Sequence, residues 1–250
     1  MAPPVRAVSL DAMGTLMELA RPPHIVYHEI LRRQGHSVEK LSPLLSGGDR
    51  LRRYWLEAER RLPPEFVAEH RDRFHHYRGA PRAFWGIMFT VLFEDLGLEP
   101  DRMPAALEAA YQRFAQPDLW IVEPTFASLA RYCAERRIEL YVTSNWDFRL
   151  PGILQALKIA TTFRKIITSA EVGYEKPSRK IFDHLVDVAG FAPSEIIHVG
   201  DTPAADVEGA RRAGLIPVLY RRTGPNPCRD VPRVRALQEV PLIASRLPGP

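Results

Sequence analysis

The sequence predicts an α/β protein, a Rossmann-like doubly wound parallel sheet core with an inserted all-helical segment. Three observations carry that expectation. Short apolar runs alternate with helix-period segments from about residue 119 onward, the pattern of parallel strands joined by crossover helices. One strand-like run stands apart at the amino end, and residues 22–116 of helical spacing separate it from the others. Acidic, hydroxyl and lysine residues follow the apolar runs, and in a parallel α/β sheet the loops at the carboxyl ends of the strands hold the working groups.

Residues 5–10 form the first strand and run straight into Asp11-Ala12-Met13-Gly14-Thr15-Leu16, a turn. The helical stretch is broken at Gly47-Gly48, Pro63-Pro64, Gly79-Ala80-Pro81 and Pro100, which divides it into about four to five helices. Beyond Asp118, helices are expected at 124–136, 151–157, 179–189 and 204–213, the last stopped by Gly214. Strands are expected at 138–143, 165–168, 196–199 and 216–220. From Arg222 the chain is rich in proline, and a loop followed by one short terminal element is expected. The resulting division is a core of residues 1–18 and 119–250 with residues 19–118 as a helical insertion. The crossings near 17–22 and 116–120 are the expected hinges.

Composition sets bounds on function. A chain of 250 residues with 46% hydrophobic and 26% charged residues can bury a sizeable core, which excludes disordered and fibrous classes. Net charge is +4, from 34 Lys and Arg against 30 Asp and Glu. The arginines come as scattered pairs such as Arg32-Arg33, Arg136-Arg137 and Arg211-Arg212, which read as solvated helix faces. A nucleic-acid binder would gather them in one stripe, so no nucleic-acid partner is expected. The apolar run 84–93 is about half of the ~20 residues that span a bilayer, and no secretion signal leads the chain, so no membrane association is expected. Two cysteines, Cys133 and Cys228, make neither a CxxC nor a metal-ligand spacing, and a reduced, cytoplasmic setting follows.

The residues beyond the strands form a set: Asp11, Thr143-Ser144-Asn145, Lys176, Gly200-Asp201 and Asp206. Hard cations such as Mg²⁺ take carboxylate oxygens together with substrate phosphate, and Asp11 and Asp201 supply two carboxylates. The Ser144 hydroxyl, the backbone of its loop and Lys176 would hold the phosphate oxygens, the lysine as a compact point charge.

These residues carry a family resemblance. Asp11-Ala12-Met13-Gly14-Thr15-Leu16, Thr143-Ser144-Asn145, Glu175-Lys176-Pro177 and Gly200-Asp201-Thr202-Pro203-Ala204-Ala205-Asp206 resemble, in chain order, the four motifs of the haloacid dehalogenase-like (HAD) hydrolase superfamily. The resemblance covers residues 5–18 and 119–221; the segment between them matches the family's inserted helical cap in position and helical character. It implies a phosphohydrolase acting on a small phosphorylated metabolite. Asp11 would attack phosphorus to give an aspartyl-phosphate, which splits one hard step into two easier ones. Ser144 and Lys176 would hold the transferring group with Thr143 and Asn145. Mg²⁺ would sit between Asp11, the Met13 backbone carbonyl and Asp201, with Asp206 completing the metal shell or orienting Lys176.

One departure matters. The family's phosphatases carry a second Asp two residues after the nucleophile as acid and base, and here that position is Met13. The missing function is worth on the order of 10²–10⁴-fold. The departure opens other readings: a 2-haloacid dehalogenase, a non-catalytic phosphate- and metal-binding regulatory protein, or a phosphonate hydrolase with Lys40 as its Schiff-base lysine. His75, His76 and Asp147 are candidates to replace the missing acid-base group, although a cap for the helix beginning at Pro151 is the plain role for Asp147. The aromatics Trp55, Phe84, Trp85, Phe89 and Phe93 are expected to be core.

Overall fold

A computed structural model describes residues 5–35, 48–64, 80–95 and 97–246. Its main sheet has six parallel strands: β1 (Ala7–Leu10), β4 (Glu139–Ser144), β5 (Lys165–Thr168), β6 (Ile196–Gly200), β7 (Ile216–Tyr220) and β8 (Arg233–Val234). Their order is β5-β4-β1-β6-β7-β8, so the winding reverses on either side of β1. Such a reversal opens a crevice at the carboxyl ends of the central strands. Leu10 lies beside Val142 of β4 and beside Val199 of β6, and this register brings the chain beyond all three strands to one edge.

The two sheet faces differ in chemistry. Val8, Leu10, Val142, Ile197 and Val199 share a buried cluster with Phe126, Leu129 and Cys133 of α5 (Phe126–Arg136). On the opposite face Ala7, Tyr141, Ile167 and Ile196 pack with Ile181, Phe182 and Leu185 of α8 (Arg179–Ala189). Ser178 caps that helix with its hydroxyl and Gly190 ends it in the left-handed region. Between the apolar residues of this second face lie three buried polar ones, Ser9, Thr143 and His198.

The inserted segment contributes α1 (Pro23–Arg33), α2 (Gly48–Arg61), α3 (Ala80–Asp95) and α4 (Met103–Arg113), with breaks where glycine and proline place them. Phe84, Phe89 and Phe93 are buried and Trp85 is partly buried, as expected of core; Phe89 touches the rings of Tyr27, Trp85, Phe93 and Phe114. Lys40, His75 and His76 lie outside the described residues, as does the Trp55 side chain.

Three features depart from the sequence expectation. The two crossings are zipped together as an antiparallel ribbon, β2 (Met17–Leu19) on β3 (Trp120–Val122), continued by the Ala20 amide donating to the Leu119 carbonyl at 2.8 Å. Three residues per strand are too few for an alternating pattern to register. β8 has two residues and escapes notice for the same reason. The expected helix at 204–213 opens as a π-helical turn, Pro203–Glu208, before α9 (Gly209–Arg212). The short terminal element is α10 (Val240–Arg246); the remaining short helices are α6 (Leu150–Ala156) and α7 (Ser169–Val172).

No helix among the described residues is long and apolar enough to cross a membrane, and the apolar run 84–93 lies within α3. Both cysteines are free thiols, Cys133 buried and Cys228 half-buried.

Candidate active site

Asp11 is the first residue beyond β1, anchored by its amide to the Val199 carbonyl at 2.9 Å. The chain then turns tightly, with the Leu16 and Met17 amides both donating to the Ala12 carbonyl at 3.0 and 2.9 Å. Gly14 is required in that turn on two counts. Its φ is +85°, and a Cβ there would lie 2.5 Å from Oδ2 of Asp201. The turn therefore presses against the loop beyond β6, bringing the acidic groups of two strands together.

Lys176 arrives from the loop between α7 and α8 and is buried. Its Nζ donates to Asp11 Oδ1 at 2.6 Å and to Asp206 Oδ1 at 2.5 Å. Burial alone would push the ammonium toward neutrality; the two carboxylates outweigh it and raise its pKa, so the lysine is held charged. Asp206, nearly enclosed, is held well below the usual carboxylate range by Lys176 and by its His198 hydrogen bond, against its burial. Asp11 moves the other way: burial outweighs Lys176 and a hydrogen bond from Ser144, and raises its pKa. Asp201 is pushed up to about 6 by burial and by the charges of Asp11 and Asp206.

Ligand atoms of Asp11, Asp201 and Asp206 lie within 4.8 Å of one another. The donor set is hard oxygen, the kind that suits Mg²⁺. Asp206 has both oxygens engaged, Oδ1 by Lys176 and His198 and Oδ2 by the Thr202 amide at 2.9 Å. Asp201 accepts a long bond from the Thr202 hydroxyl, at 3.3 Å. Three carboxylates gathered around a single ammonium leave net negative charge in a set of hard oxygens, and this is the observation by which the residues fit a divalent ion.

The remaining expected site residues separate by position. Ser144 is buried at the end of β4 and reaches Asp11. The side-chain amide of Asn145 is spent on the next loop, its Nδ2 donating to the Lys176 carbonyl at 2.8 Å and its Oδ1 accepting from the Lys176 amide at 2.6 Å. Thr143 is buried one step behind, its hydroxyl bonded to Ser9. Met13 is half-exposed in the turn beyond Asp11. Asp147 is buried against Arg149, which pairs with it at 2.6 Å and donates its backbone amide at 2.9 Å, so its carboxylate makes a turn.

The model of the family described as haloacid dehalogenase-like hydrolase matches residues 5–214. This chain belongs to that family. As a HAD-like hydrolase it is 29% identical to the human haloacid dehalogenase-like hydrolase domain-containing protein 3 over 98% of this chain and 93% of the relative. It is 34% identical to a glyceraldehyde 3-phosphate phosphatase of Methanopyrus kandleri over 54% of this chain and 58% of that one. Among solved structures, a Bacillus subtilis HAD-hydrolase bound to magnesium superposes with a TM-score of 0.65 at 16% identity, covering 96% of this chain and 99% of the other. A 2-haloacid dehalogenase from Pseudomonas syringae gives the same TM-score of 0.65 at 22% identity, covering 98% and 100%. A magnesium-bound hydrolase and a 2-haloacid dehalogenase thus share this fold, which by itself does not fix the chemistry.

Sequence reasoning missed His198 and Ser9. Both stand at strand positions where an apolar residue would face α8, so a polar residue inside an apolar alternation was the available signal.

Proposed function

We propose that this HAD-like hydrolase is a Mg²⁺-dependent phosphohydrolase acting on a small phosphorylated metabolite through an aspartyl-phosphate at Asp11. The observation that carries the reading is the Lys176 ammonium held between Asp11 and Asp206 beside a third carboxylate, Asp201. A site this acidic repels a carboxylate substrate such as a haloacid, unless a cation first neutralises it. A phosphate ester accompanied by Mg²⁺ suits it, because the ion brings the positive charge that crowding demands. The division into a core of residues 1–18 and 119–250 and a cap of 19–118 belongs to the same proposal, with the cap covering the crevice.

Asp11 and Asp201 would hold Mg²⁺ with the Met13 carbonyl, and Asp206 would act mainly on Lys176. The ion, when bound, supplies charge stabilisation to the phosphoryl oxygens. Ser144 and Lys176 bind and orient those oxygens. A carboxylate oxygen of Asp11 attacks phosphorus, the bond from phosphorus to the ester oxygen breaks, and the leaving oxygen departs with the bonding pair. Water then cleaves the acyl phosphate to free orthophosphate and restore the Asp11 carboxylate. Asn145 fixes Lys176 and contributes the backbone of its loop, while Thr143, within β4, supports Ser144 from behind.

The test is a screen of phosphate esters with and without Mg²⁺, run beside Asp11→Asn. Phosphate release that requires Mg²⁺ and falls by at least a thousandfold in Asp11→Asn is expected. Halide release from a 2-haloacid without added metal would instead establish the dehalogenase reading. Mg²⁺ and phosphate binding with no turnover of any ester would establish a regulatory protein.

A further inference from the structure

Behind the site runs a continuous buried chain of polar groups that the proposed chemistry does not use. His198, on β6, places Nε2 3.2 Å from Asp206 Oδ1 and Nδ1 3.1 Å from the Ser9 hydroxyl. Ser9, on β1, lies 2.9 Å from the Thr143 hydroxyl on β4. All three side chains are buried, and the imidazole is sealed on one side by the edge-to-face ring of Phe182 at 5.0 Å. The chain therefore crosses the three strands that carry Asp11, Ser144 and Asp201, and ends on the carboxylate that holds Lys176.

The proton count along this chain is constrained. Asp206 is ionised, so it can only accept, and Nε2 must carry the proton. The ring is enclosed and its Nδ1 faces a hydroxyl, not a carboxylate, so nothing on that side calls for a second proton. A neutral ring protonated at Nε2 has a bare Nδ1, which must accept from Ser9. Ser9 has one hydroxyl proton; once that is given to Nδ1, its oxygen accepts from Thr143. Every donor and acceptor between Thr143 and Asp206 is then satisfied in one direction only.

We infer that His198 is a positioning residue, a neutral imidazole in the Nε2–H tautomer fixed by Ser9 and Thr143, which sets the Asp206 carboxylate and through it the place of Lys176 against Asp11. Three bonds converge on Asp206: Nε2–H and the Lys176 ammonium on Oδ1, and the Thr202 amide on Oδ2. Without the imidazole the carboxylate keeps the Thr202 amide on Oδ2, but Oδ1 loses its one bond from the sheet and is held only by the ammonium it has to place. Gly200 makes room for this arrangement, since a Cβ there would lie 2.1 Å from Asp206 Cγ. The effect on turnover rests on the phosphohydrolase reading; the tautomer does not.

Three measurements decide it. Nitrogen-15 NMR on histidine-labelled protein, with His198→Gln identifying the signal among the eight histidines, should find His198 neutral and protonated at Nε2, and Ser9→Ala should disturb that signal. A ring protonated at Nδ1 alone, or at both nitrogens, overturns the inference. With an aryl phosphate and Mg²⁺, His198→Phe should lower kcat about tenfold to a hundredfold with KM changed by less than about threefold, and His198→Gln, which can still present an N–H to Asp206, should recover most of the loss. Unchanged kcat in His198→Phe overturns the positioning role. Were wild type to hydrolyse no phosphate ester, the functional reading would fail alone. Hydrogen exchange at the Thr202 amide then decides: faster in His198→Phe but not in His198→Gln supports the brace, and equal rates in all three proteins overturn it.

Discussion

Asp201 shows at the scale of one residue how a site stores the demand for its ligand. Its carboxyl is raised to about 6 from 3.8 by burial and by the neighbouring carboxylates. A carboxyl whose pKa is higher folded than unfolded binds more protons in the native state, so this group lowers stability as pH rises from about 4 through 6. At neutral pH the cost is about 1–3 kcal/mol. Asp201→Asn should therefore raise the melting temperature of the metal-free protein by several degrees while abolishing most of the heat of Mg²⁺ binding; calorimetry of both kinds checks the pair, and a less stable variant would mean the crowding is not real. Met13 carries a second prediction. With no carboxylate there to protonate the leaving oxygen, aryl phosphates should give a burst and a trappable phosphoaspartate at Asp11, while alkyl esters react slowly. Met13→Asp should raise turnover by on the order of tenfold to a thousandfold. If wild type proves fast and Met13→Asp changes nothing, another group moves the proton.

Between elements, what could be read from the sequence depended on whether a signal was local. The five longer strands and most of the helices announced themselves by period, and the turn after β1 by glycine. Asp11, Ser144 and Asp201 could be singled out because each stands at or just beyond a strand end, Lys176 and Asp206 because they fall in the order of the family motifs, and the fold brings these five together. The ribbon β2–β3 was illegible because its pairing joins residues 17–19 to 120–122, and nothing in either triplet names the other. Asn145 could be placed in its loop but not joined to Lys176, 31 positions away, because side-chain to backbone bonds between loops leave no sequence trace. His198 was overlooked for a related reason: within IIHVG it reads as one polar residue in a strand, Ser9 becomes its neighbour only once β1 and β6 pair, and Asp206 only once the turn beyond β6 folds back. The motifs gave the groups; the sheet register gave their connections.

Over the whole molecule the inserted helices and the sheet share one apolar interior. Val8, Leu10 and Val142 of the sheet belong to the same buried cluster as Tyr27, Phe89 and Phe93 of the insertion. The ring of Trp120 on β3 meets Trp146, just beyond β4, edge to face at 5.1 Å. Arg149 fastens the two parts further, since its guanidinium pairs with buried Asp147, donates to the Tyr111 carbonyl of α4 at 2.6 Å and lies 3.8 Å over the Tyr111 ring. A cap docked this way has no separate core to melt, so differential scanning calorimetry should give one cooperative transition, its calorimetric and van't Hoff enthalpies agreeing. Removing the arginine leaves Asp147 buried without its partner, a loss of about 3–5 kcal/mol by the usual cost of breaking an enclosed ion pair. Arg149→Ala should then lower the melting temperature by on the order of 10 °C, and adding Asp147→Ala to it should recover part of that loss by removing the stranded charge. Two resolved transitions in the wild-type protein would mean that the insertion folds on a core of its own, and that the Arg149 contacts join two independent units.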